Sequence, residues 1–85
     1  MNKKHKKTLE AIFANPVQAN ILWNDIEALL IACGAMRQEG NGSRVRFLLN
    51  NVPSTFHRPH PQKETDRGAV KSVRKFLIDA GIIPT

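Results

Sequence analysis

Within twenty positions the chain places the residue types that bind and cleave a phosphodiester: Arg44 and Arg46, then His57, His60 and Lys63. Cleavage of RNA by its own 2′-hydroxyl needs a base, an acid and positive charge beside the developing phosphorane. Histidine titrates near neutrality, and the planar fork of arginine matches phosphate oxygens. These side chains meet the need without a metal. They could equally contact phosphate without reacting, or face only water, and composition and pattern alone favour binding over catalysis. No further His, Cys or carboxylate cluster is spaced to complete a metal site with His57 and His60, and Pro59 interrupts regular geometry there. Neither a metal nor another cofactor is expected. Ser43 has no His–Asp partnership in the sequence, which leaves serine-hydrolase chemistry without support.

The surrounding chain suits a polyanion. Its 85 residues carry 13 Lys plus Arg against 7 Asp plus Glu, a net charge of +6. Nucleic acid is the usual partner of so basic a small domain. The lone Cys33 rules out an internal disulfide and falls at a core position. No apolar run reaches the length of a membrane span. The basic start, "MNKKHKKTLEAIF", lacks both the apolar run and the cleavage site of a signal peptide. The cytoplasm is therefore the expected compartment, and no membrane partner is expected.

The elements that must hold these residues can be read from the spacing. Leu9, Ile12 and Phe13 predict a helix over Lys4–Ala14, stopped by Asn15-Pro16. Its lysines, Lys3 to Lys7, either grip RNA or fray. A second helix buries Ile26, Leu29, Leu30 and Cys33, with Asn24 as N-cap, Glu27 in a capping box and Gly34 as the stop. Trp23, just before that cap, is expected to pack on the helix. A strand over Ala35–Glu39 leads through "GNGSR", a hairpin-opening turn, into a longer hairpin. A two-residue turn at Asn50-Asn51 pairs Leu49 with Val52 and Arg44 with His57. Val45, Phe47, Leu49, Val52, Ser54 and Phe56 then face inward, while Arg44, Arg46, Leu48, Thr55 and His57 share the open face. Pro53 puts the second of these strands at an edge. The last helix, capped by Thr65 or Asp66, turns Val70, Val73, Leu77 and Ala80 inward and ends at Gly81. Its outward Arg67, Lys71, Arg74 and Lys75 look like any solvent face of a basic protein. Arg67, Lys71 and Arg74 nonetheless join Arg44, Arg46 and Lys63 as expected nucleic-acid contacts.

Several short signals fall in a telling order: Gly42-Ser43 opening the middle strand, His60-Pro61 after the next, Lys63-Glu64, Gly68 at the start of the last helix and Ala80-Gly81-Ile82 at its end. From about Trp23 to Ile83 this set resembles the HicA family of small bacterial toxins. The resemblance implies an α+β fold like a double-stranded-RNA-binding domain: helix, three-stranded antiparallel sheet, helix, here with an extra N-terminal helix. A single domain would span 1–85, with 1–20 a basic helical extension and 21–83 the core. The resemblance also implies metal-independent cleavage of messenger RNA and a HicB-type antitoxin partner. The family's catalytic histidine follows Gly-Ser, where this chain has Arg44, and arginine stays protonated and cannot act as an ordinary base. His57, across the ladder from Arg44, is the expected replacement, with Arg44 holding phosphate and His60 completing the catalytic set. The alternatives are an RNA-binding module without cleavage, or a protein whose basic face docks an acidic antitoxin.

Overall fold

A left-handed backbone at two successive asparagines sets the register of the whole sheet. Asn50 and Asn51 have φ of 49° and 68°, the signature of a two-residue turn whose twist matches its flanking strands. The computed structural model describes residues 1–84. In it, β3 (Arg44–Leu49) and β4 (Val52–His57) pair antiparallel, Leu49 with Val52 and so on back to Arg44 with His57. β2 (Met36–Glu39) pairs antiparallel with the other side of β3, giving the order β2-β3-β4. The expected register and the edge position of Pro53 are both found. Period-two alternation buries Val45, Phe47 and Leu49 completely, or nearly so, and leaves Arg44, Arg46 and Leu48 exposed. Alanine at position 51 should destabilise the protein by about 1 kcal/mol, the cost of a left-handed backbone without an asparagine or glycine. Glycine there should not. Urea unfolding of Asn51→Ala and Asn51→Gly checks this, and equal loss in both would refute the turn argument.

Helices cover only the inner face. α2 (Trp23–Ala32) contributes Ile26, Leu29 and Leu30, and α3 (Arg67–Asp79) contributes Val70, Val73, Phe76 and Leu77. The Phe56 ring lies 5.7 Å from Trp23, 6.3 Å from Phe47 and 5.8 Å from Phe76. Phe76 was not among the expected inward residues; it widens the apolar stripe of α3 to meet this aromatic cluster. Asp66 caps α3, accepting from the Ala69 N–H at 2.8 Å. At its far end Gly81 takes φ 82°, Ile82 N–H reaches Leu77 O at 2.8 Å and Gly81 N–H reaches Ile78 O. Only a residue tolerant of positive φ closes a helix this way. α2 stops at Gly34 in the same manner. The Asn50 side chain donates to Ala80 O at 2.7 Å, tying the hairpin turn to the end of α3.

α1 (Lys3–Ile12) packs into the core, since Leu9 and fully buried Ile12 belong to the same hydrophobic cluster as the sheet and the other helices. Asn2 caps it through the His5 N–H at 2.8 Å, so the lysine cluster sits on an ordered first turn. One expectation needs correction: Asn24 is not the cap of α2. Trp23 is the first helical residue, and Leu22 at the capping position makes no side-chain cap bond. The reason lies far along the chain: β1 (Ile21–Leu22) pairs with β5 (Glu64–Thr65), and Trp23 N–H donates to Lys63 O at 3.0 Å. A backbone acceptor satisfies the first helical donor, and Glu27 is released for another task.

Candidate functional site

The open sheet face is built from short cross-strand rows. Arg44 stands opposite His57, Arg46 opposite Thr55 and Gln38, and Leu48 opposite Met36 and Pro53. The turn before β3 is tight. Gly40 N–H donates to Arg44 O at 2.9 Å, and a Cβ on Gly40 would lie 3.0 Å from Arg44 Cβ, so a side chain there would crowd the start of β3. Ser43 Oγ lies 3.5 Å from His57 Nδ1, and Ser43 O accepts from Arg58 N–H at 2.8 Å. His57 and His60 line one open depression of about 540 Å³ with Arg58, Gln62 and Glu64, while Arg44 and Arg46 line a separate, smaller one. Both arginines are exposed and make no ion pair among the described residues. Among the same residues, no group of three or more His, Cys, Asp or Glu is placed to hold a metal.

The remaining expected contact residues are scattered. Lys63 is exposed beside β5 and does not line the histidine depression. Arg67, Lys71 and Arg74 sit on α3, on the helix side of the sheet and away from Arg44. Arg67 donates to Val17 O at 3.2 Å. Arg74 is committed further: it donates to Ile12 O at 2.9 Å and Ala14 O at 2.8 Å and lies 5.8 Å over the Phe13 ring. It caps the C-terminus of α1, a structural duty. Lys71 is exposed and has no such partner among the described residues.

Arg58, Arg37 and Glu39, which the sequence left without a role, join Glu27 in supporting the hairpin base. Arg58, one step beyond His57, has inward parity and is half-buried. Its Nε and Nη2 donate to Glu27 at 2.6 and 3.1 Å, and its Nη1 and Nη2 donate to Glu39 at 2.6 and 3.0 Å. Glu27, only 6% exposed, also accepts from Trp23 Nε1 and, at 3.1 Å, from Arg37. Burial alone would push the Glu27 carboxyl up. The hydrogen bonds from Arg58, Trp23 and Arg37 outweigh it and leave the pKa below its ordinary value. Hydrogen bonding by Arg58 likewise lowers Glu39, and the two carboxylates raise Arg58. Cys33 is half-buried against the core, and burial pushes its thiol up, away from reactivity.

A family model described as "HicA toxin of bacterial toxin-antitoxin" matches residues 23–82. The chain belongs to the HicA toxin family. As a HicA protein it is the toxin of a toxin–antitoxin pair, and its α+β arrangement of helices on one face of a three-stranded antiparallel sheet is the fold expected of one. No curated protein and no solved structure matches it. The matched segment of this HicA chain starts at the first residue of α2 and ends at the closing turn of α3, which leaves α1 outside. Among the described residues, no helix is long and apolar enough to cross a membrane.

Proposed function

We propose that the protein cleaves messenger RNA without a metal on its open sheet face, and that a HicB-type antitoxin neutralises it. Arg44 holds the scissile phosphate, and Arg46 engages the next one along the strand. His57 takes the proton from the 2′-hydroxyl as that oxygen attacks phosphorus, and His60 returns a proton to the departing 5′-oxygen. The observation that carries this reading is the Arg44–His57 cross-strand pair, with Ser43 beside the imidazole and His60 in the same depression. The test is incubation of the purified protein with end-labelled single-stranded RNA in excess chelator. Products ending in 2′,3′-cyclic phosphate support the reading, and intact RNA at high protein concentration removes it.

A second reading, RNA binding without cleavage, is favoured by one observation: arginine occupies the position after Gly42-Ser43. Either way the binding surface is the same, and salt dependence tests it. Arg44→Ala and Arg46→Ala should each reduce the slope of log affinity against log salt by roughly 0.7–1, one phosphate contact apiece. Arg74→Ala should leave the slope unchanged, because that guanidinium is bound to α1 carbonyls. A loss at Arg74 as large as at Arg44 would place the RNA on the helix layer instead.

A further inference from the structure

Arg58 joins two carboxylates through its guanidinium, a pair that Arg37 also bridges at 3.1 and 3.7 Å, and it adjoins the histidine on which the proposed chemistry turns. Four hydrogen bonds of 2.6–3.1 Å fix its fork to Glu27 on α2 and Glu39 on β2. So complete a pairing leaves Arg58 little capacity to bind phosphate. Its effect passes through the backbone. With the side chain anchored, the Arg58 N–H is held against Ser43 O at 2.8 Å, closing the open end of the β3–β4 hairpin. That closure sets the distance between Ser43 and the His57 ring and keeps His57 opposite Arg44. Without it, the last pair of an edge strand would fray, since β4 has no further neighbour.

We infer that the Glu27–Arg58–Glu39 clamp positions His57, holding its ring against Ser43 and beside Arg44, and that Arg58, Glu27 and Glu39 are positioning residues rather than RNA contacts. The inference deepens the cleavage reading and rests on it for its kinetic consequence, but the clamp can be tested separately. A bidentate fork is specific to arginine, so lysine at position 58 keeps the charge and loses the geometry. Glu39 is exposed, so its removal leaves no buried orphan and the fold survives.

The test compares Arg58→Lys and Glu39→Ala with the parent and with Asn51→Ala, which weakens the opposite end of the same hairpin. Amide exchange at position 58 should quicken by about tenfold or more in both clamp variants, while core amides of Val45 and Phe47 keep their protection. The His57 ring resonances should shift. Asn51→Ala should change neither of these selectively. In cleavage assays the clamp variants should lose kcat on the order of 10–100-fold with KM within about twofold, since a small displacement of a catalytic group slows chemistry without weakening phosphate contacts. Folded clamp variants with unchanged exchange at position 58 and unchanged His57 resonances would overturn the inference, as would quickened exchange with undiminished kcat. If the parent itself leaves RNA intact, the cleavage reading falls. The exchange and ring resonances still decide whether the clamp holds His57.

Discussion

Replacing His57 with alanine should slow RNA cleavage by about 10²–10⁴-fold, the usual contribution of a positioned general base, and should leave folding intact. The second half follows from placement. His57 is exposed at the end of an edge strand, and its ring packs against nothing in the core. RNA affinity should change little, because Arg44 and Arg46 remain. The measurement is single-turnover cleavage in excess chelator beside circular dichroism of the same sample. Full activity in a folded His57→Ala protein would remove His57 from the reaction, leaving His60 as the remaining histidine in that depression. A second variant sharpens the point. Arg44 and His57 are direct cross-strand partners on one face, so exchanging them, Arg44→His with His57→Arg, keeps one imidazole and one guanidinium in the same row. If the pair acts as a unit, the exchanged protein should recover much of what His57→Ala loses. Failure to recover would show that the depression shared with His60, rather than the row, defines where the base must stand.

The residues that the sequence placed correctly are those governed by local rules. Alternation from Val45 to Leu49, with two turn-forming asparagines, is enough to set Arg44 against His57, because a slip by one position would bury both arginines. Asp66, Gly81 and Ile82 mark the ends of α3 through bonds spanning only a few residues. The misread residues answer to distant partners. Glu27 fits the spacing of a capping box, yet its carboxylate takes Arg58, 31 positions away. Arg74 matches a solvated stripe, yet it caps α1 across 62 positions. Asn24 lost the cap of α2 to a strand pairing between residues 21–22 and 64–65. A signal for Arg58 existed: the hairpin register continued one step beyond His57 turns position 58 inward, and an inward arginine needs a carboxylate. Glu27 and Glu39 were the acids on the helix and strand facing it.

Glu27→Ala should lower stability by about 2–3 kcal/mol. Breaking a buried ion pair by removing one partner ordinarily costs about 3–5 kcal/mol, because the other charge is left uncompensated. The smaller figure follows from water reaching the partners: the Arg58 and Arg37 side chains are 31% and 44% exposed. For a domain of this size such a loss should lower Tm on the order of 10–20 °C. Glu27→Gln keeps the shape and an acceptor for Trp23 and should lose less. Acid titration separates charge from shape. The Glu27 carboxyl lies below its ordinary value of 4.5 in the folded protein, so its ionised form is stabilised by folding. That contribution is fully present above the ordinary value and is lost as pH falls through the folded one. Urea midpoints of the parent should therefore drop more steeply than those of Glu27→Gln once the pH falls below 4.5, and the two curves should converge at lower pH. Parallel curves would assign the stabilisation to packing of the Glu27 stem against Trp23 rather than to its charge. The clamp would then orient the hairpin without an electrostatic share in the stability of the fold.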